Sequence, residues 1–313
     1  MLKRPYTSFI IPAKDEEKSV GILYEETIRV VSKIKKPYEI IFIDDGSKDK
    51  TFENLKKIKN KDKDVKLIKL RGNWGKSVAL QSGLDLASGE IIVTMDADLQ
   101  DNPNDLPKFL KKIDQGFDLV SGWKKKRHDP PTKVVASRIF NKAVSILSKI
   151  KLHDINCGFK VFKKDVAKNM NLYGELYRFI PVIAASQNYK VGEVEVKHRP
   201  RKYGRSKFGW TRTIRGFLDL LTIIFLTGYL RRPGHFFGTL GLLSFASGFV
   251  IGLYITYLRL TTGSIQNRHP LLFLGMLLMI VGIQLITTGL LGEMLTNFNQ
   301  KKAVLNCIEE KLL

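Results

Sequence analysis

Residues 90–100 read EIIVTMDADLQ, an apolar run that ends in two aspartates. A short apolar run bounded by polar residues predicts a buried β-strand. Three earlier runs predict strands in the same way, at 7–13 (TSFIIPA), 38–47 (YEIIFIDDGS) and 65–72 (VKLIKLRG). Amphipathic helices are predicted between them, at 16–34, 50–59 and 77–89. This alternating order predicts an α/β fold, with a parallel sheet that carries helices on both faces.

Acidic side chains follow three of the four predicted strands. They are Asp15 and Glu16 after the first strand, Asp44 and Asp45 after the second, and Asp96 and Asp98 after the fourth. Parallel strands end at a common edge, and ligands of such sheets bind at that carboxyl edge. The sequence therefore predicts a polar binding site there.

Asp96 and Asp98 form an Asp-X-Asp triplet, a pattern that occurs about once by chance in a chain of this size. Asp62 and Asp64 form a second triplet, but it lies in the lysine-rich stretch NKDKDVK and is predicted to be a solvated turn. Buried carboxylates are costly unless paired or metal-bound. Strand alternation predicts that Asp96, Asp98 and Gln100 share one side of the strand. Such oxygen ligands suit Mg²⁺ or Mn²⁺, with a substrate diphosphate completing the coordination shell.

Two common nucleotide-binding patterns are absent from the sequence. The turn after the first strand reads PAKDEE, whose acidic residues replace the glycines that a dinucleotide-binding fold requires. Gly72, Gly75 and Lys76 in RGNWGKS resemble a phosphate-binding loop only loosely, and a plain turn that leads into a helix is the alternative.

The composition restricts the class of protein. The 313 residues include 52 Lys and Arg against 30 Asp and Glu, a net charge of +22. A hydrophobic content of 44% excludes intrinsic disorder and collagen-like repeats. Cys157 and Cys307 form no disulfide framework and no metal-ligand spacing, which predicts a reducing compartment for the catalytic part. Nearly all of the excess charge precedes residue 234, so the expected partner of that region is anionic.

Two uncharged segments, 234–258 and 271–292, are long enough to cross a bilayer of about 30 Å as helices. The loop between them carries Arg259 and Arg268. The opposite flanks carry six basic residues, which are Arg215, Arg231, Arg232, Lys301, Lys302 and Lys311. This asymmetry predicts an integral protein of the plasma membrane with its N-terminal region and C-terminus in the cytoplasm.

The pattern of residues 212–233 predicts an amphipathic helix that lies in the membrane interface, because the apolar stretch of this segment is too short to cross the bilayer. A soluble amphipathic helix packed on the domain is the alternative. The predicted domains are a catalytic domain (1–211), the interfacial helix (212–233), two spans within 234–292 and a cytoplasmic tail (293–313).

Five motifs in order carry a resemblance to a known family. They are IPAKDEE, DDGSKDKT, RGNWGKSVALQSGLDLASG, MDADLQDNP and NCGFKVFKKDV. The set resembles the family-2 glycosyltransferases, in particular the polyprenyl-phosphate branch that includes dolichol-phosphate mannose synthase and the bactoprenol glucosyltransferases. The resemblance implies a GT-A domain, Rossmann-like with a mostly parallel sheet, a C-terminal hairpin of two membrane helices, and a homo-oligomer, suspected to be a tetramer.

The same resemblance implies roles for residues on the donor side. The nucleotide sugar would contact Pro12, Lys14, Glu16, Asp44, Asp45, Lys76 and Asp96, and the metal would be held by Asp96, Asp98 and Gln100. The mannose synthases commonly carry an aromatic residue at the position of Lys14, so this chain departs from that pattern.

The acceptor side is implied by charge and by the family's RxxGxSK pattern. Residues 197–212 hold seven Lys or Arg and no acidic residue, and attraction to anionic lipids is the alternative explanation. The residues implied for the acceptor phosphate are Arg127, Arg138, Arg201, Ser206 and Lys207. Asp98 and Asp154 are the implied catalytic carboxylates, with Asp154 acting either as a base or as an orienting group.

The resulting hypothesis is inverting, Mg²⁺- or Mn²⁺-dependent transfer of a hexose to undecaprenyl or dolichyl phosphate. UDP-glucose is the predicted donor and GDP-mannose the alternative. A processive polysaccharide synthase is disfavoured, because the nearest string to its QxxRW motif is SQNYKV. A basic membrane anchor without activity, or one that binds nucleic acid, leaves the strand-end carboxylates unexplained, because carboxylates repel phosphates.

Overall fold

The computed structural model describes residues 4–125, 141, 144–145, 150–200, 202–203, 233–265 and 267–306. The chain divides into two compact units, an N-terminal α/β unit and a C-terminal helical unit. The predicted interfacial helix lies outside the described residues except for Pro233, which begins the first C-terminal helix.

The N-terminal unit contains seven strands and six α-helices among its described residues. The strands are β1 (Thr7–Ala13), β2 (Tyr38–Asp44), β3 (Val65–Lys69), β4 (Ile91–Thr94), β5 (Leu119–Trp123), β6 (Lys160–Lys163) and β7 (Val191–Glu195). The helices are α1 (Val20–Ile34), α2 (Thr51–Lys61), α3 (Lys76–Leu86), α4 (Leu106–Asp114), α5 (Lys164–Lys168) and α6 (Ile180–Ser186). Short 3₁₀ turns occupy Pro103–Asp105 and Leu176–Phe179.

The strands form one sheet in the order β3-β2-β1-β4-β6-β5-β7. The pairs β3-β2, β2-β1, β1-β4 and β5-β7 are parallel, whereas β6 runs antiparallel to both β4 and β5. The prediction of an α/β fold with a mostly parallel sheet is confirmed. Strand order changes direction between β1 and β4, and such a point opens a crevice at the carboxyl edge of a sheet.

Both faces of the sheet are covered by helices, because residues along each strand alternate between two apolar sets. Phe9 and Ile11 of β1 join a buried cluster that includes Leu23 of α1 and Phe109 of α4. Ile10 faces the opposite side, where a Cβ added to Gly83 of α3 would lie 2.5 Å from Ile10 Cγ2. This close approach of α3 to the sheet fixes the position of the loop before it.

Pro12 occupies a strand position that tolerates the loss of an N–H group. β1 pairs with β2 through Pro12, opposite Ile43, but it pairs with β4 only as far as Ile10. The Ile10 carbonyl accepts a hydrogen bond from Met95 N–H, so the Pro12 nitrogen two residues later faces the same side, where β4 has ended. Pro12 therefore borders the crevice between β1 and β4.

The C-terminal unit consists of helices α7 (Pro233–Thr262) and α8 (His269–Asn306), which include the predicted spans 234–258 and 271–292. Gly234–Thr262 and His269–Met294 are long and apolar enough to cross a membrane. Helix α8 continues past residue 292 into the predicted tail.

Three pairs of glycines line the contact between α7 and α8. A Cβ at Gly241 would lie 2.7 Å from the Gly282 carbonyl, and one at Gly248 would lie 2.5 Å from the Gly275 carbonyl. Gly234 and Gly289 form the third pair, with a Cβ at Gly289 placed 3.3 Å from Gly234 Cα. Glycines at sevenfold spacing on both helices let the two backbones approach closely as an antiparallel hairpin.

Candidate functional site

The two aspartates of the MDADLQ segment lie in a turn and not in the strand. β4 ends at Thr94, and Leu99 adopts a left-handed conformation with φ of 63°. The prediction that alternation along a strand aligns Asp96, Asp98 and Gln100 is therefore wrong, because the pleat has ended before the first of them. Asp98 is buried, and its Oδ1 accepts a hydrogen bond of 3.1 Å from the main-chain N–H of Gln100.

Asp96 is the centre of the described site. Its Oδ1 accepts a hydrogen bond from Lys76 Nζ, and its main-chain N–H donates to Asp101 Oδ2 at 3.4 Å. A Cβ added at Gly158 would lie 2.6 Å from Asp96 Oδ2, so only glycine fits behind this carboxylate. Burial disfavours the charged carboxyl, but the adjacent Lys76 outweighs burial and lowers the pKa of Asp96.

A second ion pair lies beside the first. Lys124 Nζ is 3.2 Å from Asp101 Oδ1; the Asp101 side chain is buried and the Lys124 side chain is 14% exposed. Burial disfavours the ammonium group, but Asp101 outweighs it and raises the pKa of Lys124. The main-chain N–H of Lys124 also donates to Asp154 Oδ2 at 3.5 Å, so this residue joins two of the acidic groups.

Asp154 is buried and held by main-chain donors on both carboxylate oxygens. Its Oδ1 accepts from Asn156 N–H at 3.2 Å, and its Oδ2 accepts from Lys124 N–H. These contacts fix the orientation of the carboxylate, because each oxygen accepts from a different N–H group and rotation of the carboxylate would break at least one of the two bonds.

Lys160 is the most deeply buried lysine near these groups, with 2% of its surface exposed. Its ammonium donates to the Cys157 carbonyl. Burial lowers the pKa of Lys160 to about 8 and raises the pKa of the Cys157 thiol to about 12. Cys157 is therefore an uncharged thiol of the core, and the Lys160 ammonium is a weaker base than an exposed lysine.

Asp45 holds the loop that precedes α3. Its Oδ1 accepts from Trp74 N–H at 2.7 Å, and its Oδ2 accepts from Gly75 N–H at 3.0 Å. Gly46 has φ of 68°, and a Cβ there would lie 2.6 Å from the Gly72 carbonyl carbon. The loop is thus fixed at the sheet edge, while the Trp74 residue itself remains 65% exposed.

Asp44, at the end of β2, is fully buried, and Ser47 N–H donates to its Oδ1 at 3.3 Å. Within the described part of the chain, Asp44 Oδ2 has no hydrogen-bond partner.

The loop after β1 is fastened to the loop after β2. Glu16 N–H donates to Thr51 Oγ1 at 2.7 Å, and Ser19 Oγ donates to Glu16 Oε2 at 2.7 Å. Asp15, the neighbour of Lys14, has φ of 52°, and its Oδ1 accepts from Lys48 N–H at 2.8 Å. These bonds hold Lys14 and Glu16 at the carboxyl edge of the sheet.

The basic segment 197–212 begins against the acidic turn. Arg199 N–H donates to the Gln100 carbonyl at 3.0 Å, and its guanidinium contacts Glu26 at 2.8 Å and Asn102 Oδ1 at 2.6 Å. Lys197 N–H donates to Asp105 Oδ2 at 2.9 Å. The start of this segment is therefore anchored beside Gln100.

The five predicted acceptor residues lie outside the described residues. They are Arg127, Arg138, Arg201, Ser206 and Lys207. Their assignment remains a prediction from the sequence.

The sequence analysis assigned no role to several residues of the site, namely Asp101, Gly158, Lys160 and Trp74. All four stand in the quoted motifs, but an aspartate, a lysine or an exposed tryptophan gives no signal of its partner in a chain this basic. Gly158 could have been suspected only as a close-packed glycine in NCGF.

The oxygen atoms at this site suit a metal ion whose remaining ligands come from the substrate. Among the described residues, no group of three or more His, Cys, Asp or Glu is arranged to hold an ion. Mg²⁺ is commonly bound by one or two carboxylates together with substrate phosphates and water. Asp96, Asp98 and Gln100 carry oxygen atoms of the type that Mg²⁺ prefers, and they lie within one short turn.

The mostly parallel sheet, its switch point between β1 and β4, and the carboxylates at its edge are typical of the GT-A fold. Residues 8–170 match the sequence model of the family described as Glycosyl transferase family 2, and the chain belongs to this family.

Relatives with established names resemble the chain over most of its length. It is 36% identical to dodecaprenyl-phosphate galacturonate synthase of Rhizobium johnstonii, over 92% of this chain and 87% of the relative. It is 31% identical to undecaprenyl-phosphate 4-deoxy-4-formamido-L-arabinose transferase of Photorhabdus laumondii, over 91% of this chain and 87% of the relative.

Solved structures confirm the fold. Glucosyl-3-phosphoglycerate synthase of Mycobacterium tuberculosis, in complex with Mn²⁺, UDP-glucose and phosphoglyceric acid, matches with a TM-score of 0.55. That match has 17% identity and covers 70% of this chain and 80% of the other. The same enzyme with Mn²⁺, UDP and phosphoglyceric acid gives a TM-score of 0.56 at 15% identity, covering 71% and 78%.

Proposed function

We propose that the protein transfers a sugar from a nucleotide sugar to the phosphate of a polyprenyl phosphate at the membrane surface. The observation that carries the proposal is the contact of Arg199 with Gln100, which joins the basic segment 197–212 to the acidic turn. A donor diphosphate at the turn and an acceptor phosphate on the basic segment would meet there. The named activities of the two relatives, both on polyprenyl phosphates, support this choice of acceptor.

The reaction needs mainly positioning and charge from the protein. A phosphate monoester has a second pKa of about 6, so the acceptor is ionised near neutral pH. An acceptor oxygen attacks the anomeric carbon while the bond from that carbon to the diphosphate oxygen breaks. The nucleoside diphosphate departs, and direct attack inverts the configuration, so an α-linked donor gives a β-linked lipid product.

The described side chains have distinct parts in this mechanism. Asp44 and Asp45, with Pro12, Lys14 and Glu16, border the nucleotide, and the exposed Trp74 offers the aromatic face that Lys14 does not. Lys76 neutralises charge on the departing diphosphate. Asp154 orients the reacting groups, because both its oxygens are held by main-chain N–H groups in a buried position.

Asp96 and Asp98, with Gln100, would hold a divalent cation, Mg²⁺ or Mn²⁺. When bound, the cation supplies Lewis-acid stabilisation of the leaving diphosphate. The Mn²⁺ bound with UDP in the structural relative, which shares the fold, supports this assignment.

UDP-glucose remains the predicted donor, with GDP-mannose as the alternative. The names of the two relatives add galacturonate and 4-deoxy-4-formamido-L-arabinose to the donors that need testing. With each of these donors the sugar would pass to the lipid phosphate and the nucleoside diphosphate would leave, so the site chemistry is the same for all of them.

We place the protein in the plasma membrane, with the α/β unit and the C-terminus in the cytoplasm. The two apolar helices support membrane insertion, and the basic flanks of the sequence support this orientation. Self-association as a homo-oligomer stays a prediction, since nothing in a single chain tests it.

The test uses the purified full chain in detergent with a polyprenyl phosphate. Radiolabelled donors carrying glucose, mannose, galacturonate and 4-deoxy-4-formamido-L-arabinose are offered one at a time. Lipid-dependent movement of label into the organic phase with one donor supports the proposal. The proposal is contradicted if label enters the organic phase without the lipid, or if none of the donors gives lipid-dependent movement of label.

A further inference from the structure

Lys76 and Asp96 form an ion pair in the centre of the candidate donor site. The ammonium donates to Asp96 Oδ1, and the side chains are 27% and 32% exposed. The same carboxylate is one of the two expected to hold the cation. A lysine ammonium and a divalent cation would therefore compete for one oxygen atom.

The Asp96 carboxylate has little room to move. Gly158 lies directly behind it, where an added Cβ would come within 2.7 Å of Asp96 Cγ. The Asp96 main-chain N–H is directed at Asp101 Oδ2. If the ion pair separates, the partner that moves is the lysine and not the carboxylate.

The Lys76 side chain is long, and its position favours such a movement. It is the first residue of α3, and Gly75 before it has φ of 90°. Its ammonium lies 4.9 Å from the centre of the Tyr177 ring, which stabilises a cation without a directional bond. The N-terminal end of a helix attracts anions, so a diphosphate bound near α3 would draw the ammonium toward itself.

We propose that Lys76 is a transferable counter-ion, which neutralises Asp96 in the free enzyme and moves to the donor diphosphate when Asp96 takes up the cation. This inference rests on the proposed function. It goes beyond that function, because it predicts that one side chain opposes metal binding and favours nucleotide binding.

Lys76→Gln separates the two effects with binding measurements on the full chain in detergent. Free Mn²⁺ is measured by electron paramagnetic resonance during titration without nucleotide, and UDP binding is measured by calorimetry at saturating Mn²⁺. Mn²⁺ affinity should rise about fivefold, the upper end for a partly exposed ion pair. UDP affinity should fall about 10-fold or more through loss of a charge-assisted bond.

Two further variants serve as controls. Lys163→Gln breaks a matched lysine–aspartate pair, Lys163 with Asp118 at 2.8 Å, and should change neither affinity. Lys76→Arg keeps the charge and should keep both affinities near those of the wild type. Thermal unfolding of each variant shows that the chain is folded under the assay conditions.

Opposite changes in the two affinities on Lys76→Gln support the exchange. If both affinities fall, Lys76 only maintains the shape of the Asp96 site, and the inference is wrong. If Mn²⁺ affinity rises while UDP affinity is unchanged, no transfer to the diphosphate occurs, and the inference is also wrong. Wild-type protein that binds neither probe would instead remove the proposed function itself.

Discussion

The main-chain N–H of Arg199 donates a hydrogen bond of 3.0 Å to the carbonyl oxygen of Gln100. This bond joins the first residues of the basic segment to the turn that carries Asp96 and Asp98. The Arg199 guanidinium strengthens the junction through Glu26 and Asn102. Because the contacts come from both the main chain and the side chain, the start of the basic segment has a defined place at the donor site.

Asp98→Asn should abolish sugar transfer, whereas Asp64→Asn should leave it unchanged. Asp98 is buried in the turn after β4, and its carboxylate charge would be needed to hold the proposed cation. Asp64 is exposed, and its main-chain N–H only closes a turn onto Asp62 Oδ1 at 2.9 Å. Steady-state transfer rates at saturating Mn²⁺ measure both variants. Near-normal turnover of the Asp98 variant would remove the metal assignment.

Trp74→Ala should weaken UDP binding about 5- to 150-fold, while Trp74→Phe should retain most of the affinity. Stacking of a base on an aromatic ring contributes about 1–3 kcal/mol, and phenylalanine keeps the aromatic face. Calorimetric titration with UDP measures the affinities. Fluorescence adds a second observation, since UDP should quench the indole of the wild type more than the remaining tryptophans of the Phe variant. Equal affinity of the Ala variant would show that Trp74 faces away from the base.

Arg201→Ala and Lys207→Ala should raise the apparent KM for polyprenyl phosphate by about 10- to 150-fold, with little change for the nucleotide sugar. Each variant loses a charge-assisted bond to phosphate of about 1.5–3 kcal/mol. Arg231→Ala and Arg232→Ala are the matched controls, because general attraction to anionic lipids would affect all four alike. The apparent KM values of the four variants are compared in detergent micelles without anionic lipid, where this general attraction is absent. Wild-type behaviour of all four would identify the segment as a membrane anchor only.

Replacing Lys160 by Met should stabilise the fold most at pH 7–8 and progressively less toward pH 10.5. Burial lowers the pKa of Lys160 to about 8 in the folded state, from the ordinary lysine value of 10.5. Between these values the unfolded chain binds more protons, so the wild type gains stability as the pH rises, up to about 3 kcal/mol. The variant lacks this gain. Thermal unfolding at several pH values, compared between the two proteins, measures it. A constant difference would show that Lys160 titrates normally.

Gly241→Leu or Gly282→Leu should separate α7 from α8, because each side chain would enter the backbone of the opposite helix. A Cβ at either position already lies 2.7 Å from the carbonyl oxygen of the other glycine. Gly252→Leu is the control, since a Cβ there has no neighbour within 4 Å. Cysteine cross-linking between the helices reports the hairpin. Unchanged cross-linking in the Gly241 and Gly282 variants would contradict the observed register.

The sequence alone determined the elements whose signals are local. The strand predicted at 7–13 coincides with β1, because an apolar run and its polar ends lie within one short segment. The two long apolar helices follow from composition in the same way. The shared location of the acidic residues at one sheet edge also followed from the alternating order of strands and helices, because parallel strands place their carboxyl ends at one edge.

Only the tertiary structure decided which groups meet at that edge. The antiparallel β6 pairs with β4 and so brings Gly158 against Asp96, a contact that no local pattern encodes. In a chain with 52 basic residues, the sequence gives no reason to pair Lys76 with Asp96 or Lys124 with Asp101. The turn at Leu99 likewise replaced the predicted strand alternation. These contacts depend on distances between residues far apart in the chain, and such distances are set by how the elements pack and not by local preference.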